Sequence, residues 1–262
     1  MTLGLLEILS ETGGVTLCIN TYGVPFPIQR LGTPYGGWIF CETNTLAGAN
    51  IISAGAGEDI SFDILMAQRY QTNTIIVDPT PRAVQHVKEV LARAGLKNEF
   101  DLNNASGKQN PEAYNMRNIN PNNLSLLETA LYKKGVEHVE FYFPSKPDHV
   151  SCSINDYKNG YRRDGDHIQV RSSSYIDILE QYQLESVEIL KLDVEGAEHE
   201  VIKDVIRSGV LPTQILVEFD DVSAGNSSGL ESLIASNELL IASGYRPFAT
   251  DGTNSNISYL LS

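Results

Sequence analysis

Carboxylates at the ends of apolar runs are the chemistry this chain displays most openly. Residues 190–202 read Leu-Lys-Leu-Asp-Val-Glu-Gly-Ala-Glu-His-Glu-Val-Ile. The apolar run Val187, Ile189, Leu190 and Leu192 gives way to acids, then to a glycine, then to helical spacing. This pattern predicts a buried strand that delivers Asp193, Glu195 and Glu198 to the top of a sheet. Carboxylates are costly at the edge of a core, and in open α/β sheets ligands sit beyond the carboxyl ends of the strands. The same acids could instead cap the next helix, where negative charge complements the dipole.

A second stretch favours a ligand. The run Asn50-Ile-Ile-Ser53-Ala54 meets Gly55 and Gly57, followed by helical spacing at Ile60, Ile64 and Leu65. Glycines at such a bend allow positive φ and close approach of a ligand to the backbone. The next strand, Thr74-Ile75-Ile76-Val77, ends in Asp78-Pro79, and Asp78 follows Gly55 by 23 residues. A carboxylate about 20 residues beyond the glycine loop is placed to hold ribose hydroxyls. The two stretches together predict a nucleoside-binding βαβ unit.

The loop does not suit a dinucleotide. Gly55-Ala56-Gly57-Glu58-Asp59-Ile60 lacks the third glycine. Glu58 and Asp59 stand where a helix amino end would cradle a diphosphate, and would repel it. A ligand with positive charge and no phosphate fits better, which points to S-adenosylmethionine ahead of NAD. As plain first-turn residues, Glu58 and Asp59 would simply face solvent.

On these residues the chain resembles the FkbM-type S-adenosylmethionine-dependent methyltransferases. Leu190–Ile202 is similar to the family's hallmark of a strand, Asp-Val-Glu-Gly-Ala-Glu and a helix. Ser53–Ser61 is similar to its glycine loop, Val77–Pro81 to its second-strand motif, with Asp78 for a more usual Glu, and Leu216–Phe219 to its fifth strand. Asp59 stands where the family loop usually closes on glycine, and Asp220 where a histidine is common. The resemblance runs from about residue 49 to 262. It implies a Rossmann-like class I methyltransferase sheet, mostly parallel with a C-terminal antiparallel hairpin. It also implies S-adenosylmethionine as cofactor and a sugar, glycan or small natural product as hydroxyl acceptor. Ser53, Gly55, Gly57, Glu58, Asp59, Asp78, Pro79 and Asp193 are the expected donor-binding residues. Asp193, Glu195, Glu218 and His149 are the candidates for catalysis. No metal is required by the resemblance, although Asp193, Glu218 and Asp220 could supply oxygen ligands to Mg²⁺. The rival readings are a nicotinamide-dependent oxidoreductase and a donor-binding protein without turnover.

His149 lies in the polar run Asp148-His-Val-Ser-Cys-Ser153. A histidine there could serve as base near neutral pH, or be an ordinary loop residue. His199, on the helix after the hallmark, reads as structural, and His86, His138 and His167 show no ligand spacing.

Bulk properties narrow the partners. The chain has 262 residues and a net charge of −14, which argues against phosphate backbones of nucleic acid and against anionic membrane surfaces. No apolar run reaches the ~20 residues that span a bilayer. Cys18, Cys41 and Cys152 are scattered, which suits a reducing, cytoplasmic setting without a disulfide framework. The amino terminus, with Leu3, Leu5, Leu6, Ile8 and Leu9 but no basic segment, reads as a short helix rather than a secretion signal.

Several elements must position these residues. Residues 1–48 read as a helix and an extended or hairpin cover, distinct from the catalytic domain at 49–262. Phe40 is expected beneath the sheet; Tyr35 and Trp38 could either pack there or belong to a lid. The aromatic-rich cover could also serve a homo-oligomer. Helices are expected over Arg82–Leu96, Tyr175–Tyr182 and Leu230–Ala242. Strands are expected near Leu126–Tyr132, at His138–Phe143, Ile168–Val170 and Ile215–Phe219. The Asn-rich stretch 97–123 reads as a mobile insertion or substrate cover. The tail, Tyr245–Thr250 and Ile257–Leu261 around Asp251-Gly-Thr-Asn-Ser255, reads as a hairpin.

Overall fold

The computed structural model describes residues 5–9, 15–143, 152–154, 167–220, 227–251 and 255–262. In chain order the strands are β1 (Leu5–Leu9), β2 (Val15–Ile19), β3 (Ile28–Leu31), β4 (Trp38–Cys41), β5 (Asn50–Ala54), β6 (Asn73–Val77), β7 (Leu124–Leu127), β8 (Ala130–Leu131), β9 (His138–Tyr142), β10 (His167–Ser173), β11 (Ile189–Leu192), β12 (Gln214–Glu218), β13 (Tyr245–Thr250) and β14 (Asn256–Leu261). The helices are α1 (Ser61–Tyr70), α2 (Pro81–Leu91), α3 (Tyr175–Tyr182), α4 (Glu198–Ser208) and α5 (Ser227–Ala242).

A seven-stranded sheet carries the molecule, in the order β13-β14-β12-β11-β5-β6-β7. Strands β7, β6, β5, β11 and β12 run parallel, and β14 and β13 close the edge as an antiparallel hairpin. This is the expected fold class. Both faces are covered, so the central strands read as nearly continuous apolar runs. Along β5, Ile52 and Ala54 face the core under α3, α4 and α5, while Ile51 turns to the side of Trp38, Phe40 and α1. Leu190 and Leu192 on β11, and Ile215 and Val217 on β12, join the first of these cores.

Strand order reverses between β5 and β11, and the register aligns their ends. Ala54 pairs with both Leu192 and Val77, and Leu192 pairs with Val217. Gly55, Asp78, Asp193 and Glu218 therefore emerge abreast, each one residue beyond the matched set Ala54, Val77, Leu192 and Val217, with Glu218 still paired to Asn256 on the hairpin side. That reversal is where open α/β sheets form their ligand crevice.

Other elements depart from expectation. The amino-terminal segment is no helix: Leu5–Leu9 pairs antiparallel with Val15–Ile19. A short isolated helix is marginal in water, whereas a nearby β-prone run offers a ready hydrogen-bonding partner. The expected strand 126–132 divides at Thr129, Leu124–Leu127 joining the main sheet and Ala130–Leu131 pairing with β10 in a three-stranded sheet with β9. Helix α2 stops at Leu91, and turns carry the chain on to Gly95, whose φ is +83°.

The stretch 97–123 is built into the structure rather than laid over it. Tyr114, Met116 and Ile119 are buried against Ile60, Ile64 and Val87, and the Tyr114 hydroxyl accepts the Ile60 amide at 3.0 Å. Asn content misled here because these asparagines cap short turns (Asn110 on Glu112 N, Asn120 on Asn122 N) while the few apolar residues go inward. The β3–β4 hairpin also belongs to the core. Phe40 and Trp38 are buried, Tyr35 is exposed, and the Gln214 side chain exchanges hydrogen bonds with both backbone groups of Cys41, at 2.7 and 3.0 Å.

Candidate functional site

A cavity, partly open to solvent, lies at the carboxyl ends of β5, β6 and β11. Gly55, Gly57, Asp78 and Pro79 form one wall, Asp193 and Glu195 another, and Leu131 and Phe141 of the small sheet, with Cys152 packed against Phe141, close it. A mixture of apolar wall with a few polar groups suits a small-molecule ligand.

The glycines are held by contact. Gly55 has φ +84° and packs so closely on β11 that a Cβ there would lie 1.7 Å from the Asp193 carbonyl oxygen. Gly57, at φ +53°, has nothing within 4 Å of such a Cβ, because its backbone faces open space. Asp78 shapes the loop between them. Its Oδ2 accepts the amides of Ala56 at 2.8 Å and Gly57 at 3.3 Å. Its Oδ1 accepts the amide and hydroxyl of Thr80 at 2.8 and 2.7 Å. The carboxylate expected on ribose is thus engaged by its own chain, as the post around which the glycine loop turns.

Of the other expected donor residues, Ser53, Glu58 and Asp59 do not line the cavity. Ser53 is fully buried within the sheet, on the face opposite Ala54. Glu58 forms an ion pair with Arg82 at 2.7 Å. Asp59 ties three segments together, accepting from the Thr33 hydroxyl at 2.6 Å, the Ser61 amide at 3.0 Å and the Gln109 side chain at 3.1 Å. Their charges are spent on holding the loop, so the acidic loop does not itself mark a cationic ligand.

The hallmark segment is where acids converge. Glu195 holds the left-handed conformation at φ +50°, followed by Gly196 at +101°. For a residue with a side chain this costs on the order of 1–3 kcal/mol and is met at functional sites. The bend aims Glu195 back at the cavity beside Asp193, and the Ser153 hydroxyl secures it by donating to the Glu195 carbonyl at 2.6 Å. Glu198 is fully buried, and its Oε1 accepts the Gly196 amide at 2.8 Å. Burial pushes its pKa up to about 7. Asp220 is pushed up to about 11, by burial first and then by the charges of Glu195, Glu198, Asp193 and Glu218. Glu218 ends β12, half-buried. His199 packs structurally, its ring stacked on Phe219 at 5.4 Å and Nδ1 at 2.8 Å from Ser236 Oγ. His149 lies outside the described residues.

Sequence reasoning missed Leu131, Phe141, Cys152 and Ser153. The only signal was the alternation of 138–143 and the polar run ending at Ser153. Nothing local says that Tyr142 and Ser153 bridge and so carry that run to the cavity.

Comparison with known proteins decides the family. The sequence model of the Methyltransferase FkbM domain matches residues 47–231. The chain belongs to the FkbM methyltransferase family. None of the curated proteins compared matches it. Among solved structures it is similar to Aeropyrum pernix fibrillarin in complex with natively bound S-adenosyl-L-methionine, at 12% identity and TM-score 0.39 over 98% of this chain and 93% of that one. It is similar also to the Methanococcus jannaschii fibrillarin pre-rRNA processing protein, at 9% identity and TM-score 0.39 over 99% and 94%. Likenesses this distant carry no argument here. The FkbM domain match bears out the resemblance read from the hallmark, glycine loop and second-strand motifs, and with it S-adenosylmethionine as cofactor. The cavity fits that cofactor: open backbone at Gly57, apolar walls, and carboxylates at Asp193 and Glu195 for a cationic ligand. Among the described residues, no helix is long and apolar enough to cross a membrane.

Proposed function

We propose that this FkbM methyltransferase acts on a hydroxyl group of a sugar, glycan or small natural product. The observation that carries this reading is the pairing of Asp193 and Glu195 on the wall of the cavity floored by Gly55 and Gly57. A carboxylate acceptor would be repelled there. A neutral hydroxyl would be welcomed, and it needs what these residues offer, a base for its proton. The net charge of −14 speaks against nucleic acid as the acceptor, and the family match speaks against the nicotinamide reading.

When bound, the donor supplies an activated methyl group that passes to the acceptor oxygen as the carbon–sulfur bond breaks. The chain has to align the two. Gly55 and Gly57 let the donor approach the backbone, Asp78 fixes their conformation, and Leu131 and Phe141 exclude water. Alignment of this kind can be worth up to ~7–11 kcal/mol. Asp193, at the end of the central strand, is the proposed base, with Glu195 next to it and Glu218 abreast on β12. A positioned base contributes roughly 10²–10⁴-fold.

Thermal-shift titration with S-adenosylhomocysteine, beside NAD, tests the donor pocket. At 100 times the dissociation constant the ligand stabilises the fold by about 2.7 kcal/mol, a rise of several degrees in Tm. A labelled-donor screen across glycosides, other alcohols, amines and carboxylic acids then tests the acceptor. Label carried into ethers, and reduced at least about 10²-fold by Asp193→Asn, supports the reading. Label carried only into amines or esters overturns it.

A further inference from the structure

The peptide group between Glu195 and Gly196 is held at both of its polar ends. Its carbonyl oxygen accepts the Ser153 hydroxyl at 2.6 Å, and its N–H donates to Glu198 Oε1 at 2.8 Å. Ser153 is 5% exposed and Glu198 is fully buried, so neither bond competes freely with water. The two side chains come from different parts of the fold. Ser153 bridges to Tyr142 at the end of β9, and Glu198 opens α4.

This peptide sets where Glu195 points. Glu195 stands at φ +50° and Gly196 at +101°, and a side chain in the left-handed region persists only where its surroundings over-determine it. Relaxation of that bend toward ordinary backbone would break both bonds. It would also swing the Glu195 carboxylate away from its place beside Asp193 on the cavity wall. Glu198 is itself backed. Its carboxyl group is hydrogen-bonded to that of Asp220, and two acids make such a bond by sharing a proton. Asp220 follows Phe219, whose ring stacks on His199, the next residue of α4. The acid pair is thus fixed between the end of β12 and the first turn of α4. The shared proton lets Glu198 stand behind Glu195 without the repulsion of two full charges.

We propose that Ser153 and Glu198 are positioning residues that hold the Glu195 carboxylate on the cavity wall through the Glu195–Gly196 peptide, with Asp220 as the support of Glu198. The role rests on the reading of Asp193 and Glu195 as the working acids of the site. It makes the orientation of Glu195 depend on the segment that brings Cys152 to the same cavity.

The test pairs S-adenosylmethionine binding, by calorimetry without acceptor, with hydrogen exchange at the Gly196 amide. Ser153→Ala and Glu198→Met should each quicken exchange at Gly196 and weaken S-adenosylmethionine by about fivefold or more. Glu198→Gln should restore both, because its amide oxygen accepts from Gly196 while its NH₂ group donates to Asp220. Glu195→Gln alone should weaken S-adenosylmethionine. Adding Ser153→Ala to it should weaken binding no further, while exchange at Gly196 still quickens. A merely structural role for Ser153 would make the two losses multiply. If Glu198→Met does not fold, Ser153→Ala carries the test. Unchanged exchange at Gly196 overturns the proposal. So does a Glu198→Gln chain that behaves like Glu198→Met, a Glu195→Gln chain that binds as the wild type does, or a double variant whose losses multiply. Failure of the hydroxyl-acceptor reading shows elsewhere: label passing only into amines or esters overturns that reading and leaves these exchange rates and affinity ratios as they are.

Discussion

Gly55 lies against Asp193 so tightly that no side chain fits between them: a Cβ would stand 1.7 Å from the Asp193 carbonyl oxygen. The glycine loop and the acidic hallmark are therefore one packed unit, and each sets the other's position. Gly55→Ala must push β5 from β11 or twist a backbone held at φ +84°. A loss of about 3 kcal/mol or more is expected in urea unfolding, together with the shift given by S-adenosylhomocysteine. Gly57→Ala separates the two effects. Its Cβ meets nothing within 4 Å, so stability should fall only by the ~1–2 kcal/mol of a left-handed alanine, while donor binding is lost to the methyl group in the cavity. Equal stability losses in the two variants would contradict this account.

Asp78 is expected to act through the loop. With Ala56, Gly57 and Thr80 all donating to it, Asp78→Asn sets an amide NH₂ against N–H donors. Charge-assisted bonds of this sort are worth roughly 1.5–3 kcal/mol each. Unfolding free energy should drop by about 2–3 kcal/mol, and donor affinity should fall in parallel. Hydrogen exchange at the Ala56 and Gly57 amides distinguishes this from loss of a direct ribose contact. Faster exchange in the unliganded variant is the expected result; unchanged exchange with weakened binding would assign the carboxylate to the ribose.

Much of this site could be read from sequence because its parts lie at strand ends. An apolar run that stops at an acid or a glycine announces both the strand and the residue it delivers, as at Ala54-Gly55, Val77-Asp78 and Leu192-Asp193. What lay hidden depends on long-range pairing or on where a side chain turns. Glu58 and Asp59 read as ligand-facing because their partners, Arg82, Thr33 and Gln109, are 24, 26 and 50 residues away. Phe141 and Cys152 reach the cavity only because β9 pairs with β10 and bridges to Ser153. The stretch 97–123 looks like a loop because its few buried apolar residues, Ala113, Tyr114, Met116 and Ile119, lie among many polar ones and leave no periodicity.

Lys191 is the hallmark residue whose role sequence alone leaves open. It is 4% exposed in the sheet, its ammonium group donates to the Gly55 carbonyl and lies 5.3 Å from the centre of the Trp38 ring. Asp63, on α1 and 2% exposed, is the acid it balances. Lys191→Met keeps the volume but strands the buried Asp63 charge, and a loss of about 3–5 kcal/mol is expected. Adding Asp63→Asn should recover a large part of that loss, since the uncompensated charge is gone. Donor affinity should not recover, because Gly55 still lacks its anchor. A double variant no more stable than Lys191→Met would show that the two groups are not coupled.

His86 gives the fold a pH dependence of predictable sign. The ring is 5% exposed on α2, with Nε2 at 3.1 Å from the Tyr114 hydroxyl. That hydroxyl already accepts the Ile60 amide, so its proton is available to a neutral imidazole. Burial lowers the pKa of His86 from its ordinary value of 6.5. On acidification the unfolded chain takes up a proton near pH 6.5 while the folded chain resists. The unfolded state then binds more protons, and stability falls as pH falls. The contribution is fully present above about pH 7, declines below 6.5, and levels off once the folded-state pKa is passed. Urea unfolding of the wild type between pH 7.5 and 5.5 should show this decline. His86→Gln, which has no titrating group, should flatten that part of the profile while lowering stability at pH 7.5 by about 1–2 kcal/mol for the lost packing and hydrogen bond. A slope unchanged by the substitution would place the titration elsewhere.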